Sequence, residues 1–341
     1  MKYHIVLNHA FDLDGIARAA DADQRPRHCL ADAATLLNAT IHLPGQDPIT
    51  TADRVRSKLV GRPQDWALAR RLAAQLNHED VVICNSESMS FPIAALCDPK
   101  DLPTIITYVH NPMRPKAKLA MRVLGLAQRI DLFLTESIMK AEFMRRFLRV
   151  PPSHVQLFQD QATDARFFRP SDVATKNPRP LIASCGMERR DYRTLAAATH
   201  DLNIDIRVSA VSPDSINSSC VMPDEVPSNM VCRPHEWDEL RELYQDADIV
   251  VVPLVPNYQQ AGITTLFEAM ACRKPTIMTR IQGMSEQLID EGFVVGVEAN
   301  NPAALRAAIE DLLANPEKAD AMAQRGYDLV SRRHNHDAYV K

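Results

Sequence analysis

Several features that would assign this chain to a specialised class of protein are missing from its sequence. No run of about 18 apolar residues occurs, so no segment is predicted to span a membrane. The seven cysteines are odd in number and widely spaced, without a Cys-x-x-Cys pair, which argues against a disulfide framework or a zinc site. The net charge of −4 argues against a general nucleic-acid-binding protein.

The chain also begins without a signal-peptide pattern, since its first residues read as a short strand. We therefore expect a cytoplasmic protein, with association with a membrane surface left open. Aromatic residues make up only 6% of the chain, so the cores must rely on aliphatic side chains and methionine. A length of 341 residues suits two domains of about 150 to 180 residues each.

Short apolar runs alternate with segments of helical periodicity along the whole chain. Residues 81–84 and 249–252 are typical of buried strands, and residues 64–77 carry apolar side chains at helical spacing. Such alternation predicts parallel sheets with helices on both faces, the α/β class. We expect two doubly wound, Rossmann-like domains that face each other across a cleft.

A polar, proline-rich stretch divides this pattern near its middle. It predicts an interdomain linker at residues 166–180. The N-terminal domain is then residues 1–165, and the C-terminal domain is residues 181–341.

The most informative segment, residues 248–279, reads as strand, loop, helix and strand. A helix that begins after a glycine-containing loop presents free backbone N–H groups and a positive dipole, which favour an anion. The residues expected at this anion site are Gly262, Ile263, Thr264 and Thr265. Glu268 follows one turn into the helix, where its carboxylate is suited to a diol such as a ribose.

This segment resembles the donor-site motif of the family-4 retaining glycosyltransferases, which have the two-domain GT-B fold. Their pattern is Glu, seven residues, Glu-Ala-Met-Ala, and then Pro. Residues 268–271 and Pro275 match it, whereas Gln260 stands at the first Glu position. The resemblance implies that Glu268 binds the nucleotide ribose and that Gln260 lies at the donor sugar. It also implies that the C-terminal domain binds a nucleotide-sugar donor and that the N-terminal domain lies on the acceptor side.

A second stretch, residues 184–195, resembles the first loop of the family's donor domain, in which cations clamp the donor diphosphate. The resemblance gives this binding role to Gly186, Arg189 and Arg190, and more weakly to Arg193. Planar guanidinium groups suit phosphate oxygens because they donate paired hydrogen bonds.

His110 directly follows the predicted strand at residues 105–109. In the family a histidine at this strand end faces the donor sugar, so the resemblance implies catalytic positions at His110 and Gln260. The spacing Asp12-x-Asp14 is typical of a metal-dependent glycosyltransferase class, but it recurs twice elsewhere in the chain. We therefore expect neither a metal ion nor a further cofactor.

Residues 110–150 are strongly basic, with nine Lys or Arg against three Asp or Glu. A basic amphipathic helix within residues 114–129 is suited to an anionic membrane surface, as in lipid-modifying members of the family. A solvated helix face that covers the core is the alternative.

Together these features predict a hexosyltransferase that moves a sugar from a nucleoside diphosphate sugar, with UDP favoured, to an acceptor hydroxyl with retention. A glycolipid or a polysaccharide precursor is the expected acceptor. Two alternatives stay open: a nucleotide-sugar epimerase, and a scaffold that binds the donor without turnover. A nicotinamide-dependent oxidoreductase is disfavoured because no Gly-x-Gly-x-x-Gly follows a predicted strand.

Overall fold

A computed structural model describes residues 1–172, 177–210, 220–257 and 260–341 of the chain. The described chain divides into two compact units. The first consists of Met1–Asp14, His28–Gln159 and Val340, and the second of Gly15–Arg27, Asp160–Tyr339 and Lys341. Each unit is built around its own six-stranded sheet.

All neighbouring strands of the first sheet are parallel, in the order β2-β1-β3-β4-β5-β6. Its strands are β1 Lys2–Val6, β2 Thr40–His42, β3 Asp80–Cys84, β4 Thr104–Tyr108, β5 Leu132–Thr135 and β6 Val155–Leu157. The helices over this part of the chain are α1 Leu13–Asp21, α2 Cys29–Leu37, α3 Thr51–Arg56, α4 Pro63–Ala73, α5 Glu87–Leu96, α6 Pro115–Val123 and α7 Ile138–Phe147.

Helix α4 shows how sequence sets these elements. It begins with Pro63 in the first turn, where the missing N–H would have had no helical partner. Trp66 and Leu72 lie on its buried side, each 1% exposed, and the helix packs against α5 and α3. The Trp66 indole N–H donates to the Val60 carbonyl at 2.7 Å, so the largest buried side chain leaves no unsatisfied donor.

The second sheet is also parallel throughout, in the order β12-β11-β10-β7-β8-β9. Its strands are β7 Leu181–Cys185, β8 Asp205–Ser209, β9 Met230–Arg233, β10 Ile249–Val252, β11 Thr276–Thr279 and β12 Val295–Val297. Its helices are α8 Tyr192–Thr199, α9 Trp237–Asp246, α10 Ile263–Ala271, α11 Met284–Asp290, α12 Pro302–Ala314, α13 Pro316–Arg332 and α14 His336–Val340.

Each sheet has one point where the strand order reverses, between β1 and β3 in the first and between β7 and β10 in the second. Connections leave the two central strands toward opposite faces there, which opens a crevice at their carboxyl ends. Ligands of doubly wound sheets bind in that crevice. Both predicted sheets are therefore confirmed, and each has a defined place for a ligand.

A segment from the N-terminal half, Gly15–Arg27, belongs to the second unit. Arg27 holds it there, because its guanidinium donates to Asp164 at 2.8 Å and to Asp337 at 2.9 Å. Asp160–Tyr339 also begins before the proposed linker at 166–180. The domain limits at 165 and 181 stay predictions, and residues 173–176 of the proposed linker lie outside the described residues.

The basic stretch forms a shorter helix than expected. Helix α6 ends at Val123 because Gly125 takes a left-handed conformation, with φ of +60°. A single 3-10 turn, Leu126–Gln128, completes the stretch. In the described parts of the chain, no helix combines the length and the apolar character needed to cross a membrane.

Candidate functional site

The loops that follow β7 and β10 are joined at the reversal point of the second sheet. The Asp191 N–H donates to the Pro253 carbonyl at 2.9 Å, and the Val255 N–H donates to the Arg189 carbonyl at 3.0 Å. Backbone hydrogen bonds therefore fix the Gly186–Asp191 loop to the segment that leads toward α10. The predicted donor residues of both loops share one region of the structure.

Two glycines let these loops approach each other closely. Gly186 and Gly262 both have positive φ, +97° and +81°. A Cβ added to Gly186 would lie 2.5 Å from Arg190 Nη2, and one added to Gly262 would lie 2.6 Å from Val252 Cγ1. Any larger residue would clash as well as adopt a strained backbone, so both positions require glycine.

Arg190 lies beneath these glycines and is only 3% exposed. Its Nε and Nη1 donate to the carbonyls of Cys185 and Glu188, both at 2.8 Å. Its Nη2 donates to Thr265 Oγ1, also at 2.8 Å. All three acceptors are neutral, and no described carboxylate forms a salt bridge with the guanidinium. The site therefore contains a buried guanidinium without an ion-pair partner among the described residues, and its charge acts on the Glu268 carboxyl.

Arg189 differs from its neighbour Arg190 in backbone and burial. Its backbone is left-handed, with φ of +56°, and the residue is only partly buried. One of the two predicted arginines is thus built into the floor of the loop, and the other is more accessible.

Helix α10 adds to the positive potential. Gly262 is its N-cap residue and offers no side-chain cap, and the first helical hydrogen bond runs from the Leu266 N–H to the Gly262 carbonyl. The N–H groups of residues 263–265 therefore have no acceptor within the helix. Ile263 and Thr265 are buried, whereas Thr264 is exposed. Arg190 and this helix start thus place two independent groups that favour an anion side by side, and the binding of an anion there stays a prediction.

Glu268 is buried one turn further along α10. Its Oε2 accepts a hydrogen bond from the Tyr244 hydroxyl at 2.8 Å. Burial raises the pKa of Glu268 to about 7, although the Tyr244 hydrogen bond and the charge of Arg190 both oppose this. The carboxylate is therefore held next to the anion site but not within it.

Tyr244 was not identified from the sequence. It lies on the buried side of α9 with its hydroxyl on the Glu268 carboxylate. Because a buried tyrosine hydroxyl nearly always has a partner, a tyrosine among the apolar positions of an amphipathic helix was the available signal.

Gln260 has a structural partner of its own. Its Oε1 accepts from the Met284 N–H at 3.1 Å, and its Nε2 contacts the Gln282 carbonyl at 3.5 Å. Gly283 permits this approach, since a Cβ there would lie 2.0 Å from Gln260 Nε2. The amide thus caps the start of α11, and its role toward a donor sugar stays a prediction.

His110 belongs to the first unit and is exposed at the end of β4. Its Nε2 lies 2.9 Å from the Asn85 carbonyl, and its backbone N–H donates to Glu87 Oε2 at 3.0 Å. Its position at a strand end is as the sequence indicates, while its catalytic role stays a prediction. Asn85 and Glu87 were not predicted, because only the fold brings the ends of β3 and β4 together.

A cavity of about 350 Å³ lies elsewhere in the second unit, between β8, the edge strand β9 and helix α9. Its walls carry both signs of charge, and Arg233 already pairs with Glu239 at 3.0 Å across it. None of the predicted donor residues lines it.

The two doubly wound parallel sheets define the GT-B architecture of glycosyltransferases. Sucrose-phosphate synthase from Thermosynechococcus elongatus aligns over 100% of this chain and 96% of its own, with TM-score 0.72 and 16% identity. Anabaena HepE in complex with UDP-glucose aligns over 100% of this chain and 97% of its own, with TM-score 0.67 and 13% identity. At such identities the likeness establishes the fold alone.

Comparison of sequences identifies glycosyltransferases as relatives of the C-terminal half of the chain. Residues 229–329 match the family model of Glycosyl transferases group 1. D-inositol 3-phosphate glycosyltransferase of Salinispora tropica is 31% identical over 108 residues, which is 32% of this chain and 22% of that protein. An uncharacterized glycosyltransferase of Methanocaldococcus jannaschii is 32% identical over 96 residues, 28% of this chain and 26% of that protein. The matched segment thus spans about a quarter of these relatives.

Proposed function

We propose that this chain is a hexosyltransferase that moves a sugar from a nucleoside diphosphate sugar to an acceptor hydroxyl. The observation that carries the proposal is the buried guanidinium of Arg190, which has no salt bridge among the described residues, beside the uncapped start of α10. A departing diphosphate is the anion that this arrangement suits, because charge develops on it as the glycosidic bond breaks. Preorganised donors stabilise that charge without reorganisation.

The donor's nucleoside is proposed to bind at Glu268, whose carboxylate accepts hydrogen bonds from the ribose diol. Glu268 lies on α10 about one turn beyond the predicted anion site, so a ligand whose phosphates bind at the helix start has its nucleoside close by. A UDP-sugar is favoured because HepE was solved with UDP-glucose. A structural neighbour from Burkholderia vietnamiensis is named as a UDP-forming trehalose-phosphate synthase.

The assignment to family 4, and with it retention, rests on the motif around Glu268. In the proposed step, the bond between the anomeric carbon and the phosphate oxygen breaks, and the acceptor oxygen bonds to the same face. The acceptor proton passes to the departing phosphate. Such a step requires no enzymic base, and we expect no dependence on a metal ion.

One observation favours the alternative of a donor-binding protein without turnover. Gln260 stands at the position of the family's first Glu, and its side-chain oxygen already accepts a hydrogen bond from the Met284 N–H. Such a protein would bind the nucleotide sugar but release no nucleotide when acceptors are added. A turnover assay on protein with demonstrated donor binding separates the two functions.

A panel of UDP-, GDP- and ADP-sugars tests the donor site by thermal unfolding. We expect one nucleotide class to raise Tm by about 5 °C at roughly a hundredfold excess over Kd. Glu268→Ala should abolish this shift because the ribose loses its acceptor. Glu317→Ala, on an exposed carboxylate, is the matched control. Absence of a shift with every nucleotide would contradict the proposal.

The proposal includes a membrane-facing surface on α6. Leu119 and Val123 are 52% and 65% exposed there, among exposed basic residues. The basic residues are Arg114, Lys116, Lys118 and Arg122. Lys118 also lies 4.9 Å from the centre of the Phe143 ring, so α6 and α7 form one continuous surface. Apolar side chains inside a basic rim are suited to an anionic bilayer, where a lipid-linked acceptor would lie.

Cosedimentation with vesicles tests this surface. Each cation near an anionic membrane contributes about 1 kcal/mol, so reversing two of them should weaken binding about thirtyfold or more. The variant is Lys116→Glu with Arg122→Glu, and the control is Lys58→Glu with Lys100→Glu, which changes net charge equally. We expect binding to anionic vesicles at low salt and none to neutral vesicles. Equal binding by the variant and the control would contradict the assignment.

A further inference from the structure

The cavity of about 350 Å³ between β8, β9 and α9 has no role in the proposed donor site. Strand register sets its sheet side. Arg207 is paired with Val231 across the two strands, and Arg233 follows two residues further along β9, so their three side chains lie on one face of the sheet. The volume lies at the lower end of the range for small-molecule sites. The cavity is therefore large enough for a small metabolite.

Helix α9 forms the other side of the cavity. Glu239, Glu242 and Asp246 are spaced by three and four residues, which places their carboxylates along one side of the helix. Leu243 lies beside this row, is 3% exposed and adds an apolar surface. Lys274 is close enough to Asp246 for their charges to interact. A basic sheet side thus meets an acidic helix side, with part of the acidic charge already balanced.

One cation and one carboxylate of the lining lack an ion-pair partner. Arg233 is not among them, since its Nη1 donates to both oxygens of Glu239, at 3.1 and 3.0 Å. In the part of the chain that the structure describes, neither Arg207 nor Glu242 forms a salt bridge. The two groups lie on different sides of the cavity, so a ligand between them can contact both.

His235 adds a buried acceptor, because it lines the cavity and is only 6% exposed. Its Nδ1 lies 3.1 Å from the Arg233 carbonyl, which can only accept, so Nδ1 carries the proton. Burial, with the charges of Arg233 and Arg207, lowers the pKa of His235, so the ring is neutral near pH 7. Its Nε2 is therefore an acceptor, and no described residue donates a hydrogen bond to it.

These three groups determine what a ligand must carry. A guanidinium such as that of Arg207 binds a carboxylate through paired hydrogen bonds. The Glu242 carboxylate and His235 Nε2 both accept hydrogen bonds, which an ammonium group donates. A purely anionic ligand would leave Glu242 without a partner, and a purely cationic ligand would leave Arg207 without one. A small molecule that carries both a carboxylate and an ammonium group satisfies both sides.

We infer that this cavity binds a free α-amino acid in its zwitterionic form. The carboxylate of the amino acid binds Arg207, and its ammonium group binds Glu242 and His235. Its side chain packs on Val231 and Leu243, which favours an aliphatic one. The inference is independent of the proposed function, because none of the predicted donor residues lines the cavity.

Ligand-observed NMR titration of the full chain with leucine, isoleucine, valine and methionine tests the ligand class. We expect at least one of them to bind with a Kd of about 1 mM or lower. Two derivatives of the tightest binder test its two ends, because the amide lacks the carboxylate and the N-acetyl form lacks the ammonium group. Each derivative should bind weaker by about tenfold or more, since it leaves a charged side chain without a partner.

Variants locate the site. Arg207→Met and Glu242→Gln should each weaken the amino acid by about tenfold or more, because each removes a charge-assisted hydrogen bond. Both side chains are exposed, so we expect both variants to fold and to keep the Tm of the unmodified chain. Arg332→Met and Glu317→Gln remove exposed charges on α13, outside the cavity, and are the matched controls.

Absence of binding by all four amino acids would overturn the inference. Equally tight binding of the amide or the N-acetyl form would also overturn it, since the end of a peptide would then suffice as ligand. Equal affinity of the cavity variants and the α13 controls would place the amino acid elsewhere on the protein and so refute the site. Donor binding enters none of these measurements, so the proposed function stands or fails separately.

Discussion

Arg190→Met should weaken the binding of a nucleoside diphosphate about a hundredfold and change the binding of the free nucleoside by less than about threefold. Arg190 supplies the buried charge of the anion site, and a hydrogen bond to a charged group contributes about 1.5–3 kcal/mol. The nucleoside is expected at Glu268, one turn along α10 from Thr265. Isothermal titration with UDP and with uridine measures both constants.

The controls separate charge from packing. Arg207→Met removes an exposed arginine of the same sheet and should bind UDP normally. Arg190→Lys retains the charge but not the three-way hydrogen bonding to Cys185, Glu188 and Thr265, so its affinity should be intermediate. It also keeps the test usable if the methionine variant is unstable. Unchanged UDP affinity in a folded Arg190→Met protein would refute the anion site.

Arg190 also shows which feature of the candidate site could not be predicted from the sequence. The pair Arg189-Arg190 follows a predicted strand, and the motif resemblance suggests phosphate binding for both. Arg189 has a left-handed backbone, with φ of +56°, and the side chain of the next residue, Arg190, lies beneath Gly186. A positive φ at a non-glycine residue depends on the surrounding loop and has no local sequence signature. Burial of the charge was therefore not predictable.

Strongly patterned elements were predicted well. The strand at residues 249–252 has the predicted limits. Helix α10 begins directly after the glycine-containing loop, as the sequence predicts, with Gly262 as its N-cap. Long apolar runs and clear caps determine such elements locally.

Elements without such a pattern were missed. Helix α5 is buried on nearly every side and contains Pro92, so it shows neither an apolar stripe nor an uninterrupted helical sequence. Strand β2 has only three residues, Thr40–His42. The assignment of Gly15–Arg27 to the second unit depends on Arg27 reaching Asp164 and Asp337, residues far away in sequence. Such pairings follow from the fold and cannot be derived from periodicity.

Binding of a UDP-sugar should weaken about tenfold between pH 8 and pH 6. The cause is Glu268, whose pKa burial raises to about 7 in the free protein. A ribose diol donates to the carboxylate and so favours its ionised form, which lowers this pKa in the complex. Affinity is then fully present above pH 7 and is lost as pH falls through 7, in proportion to the ionised fraction.

The ionisable neighbours of Glu268 do not contribute to this pH dependence. Burial raises the pKa of Cys185 to about 12 and those of Tyr244 and Cys272 well above their usual ranges, while Arg190 stays charged. None of these groups titrates between pH 6 and 8. A UDP-sugar is used because its diphosphate is esterified at both ends and has no proton that titrates there.

Glu268→Gln is the decisive variant for this pH dependence. The amide keeps the size of the side chain and an oxygen toward the Tyr244 hydroxyl, but it cannot ionise. We expect weaker binding that no longer varies between pH 6 and pH 8, measured by titration calorimetry in buffers of equal ionic strength. If the variant keeps the full pH dependence, another group controls donor binding. A flat profile in the unmodified protein would place the ribose away from Glu268, because any ligand that hydrogen-bonds to a carboxylate with this pKa must be linked to its proton.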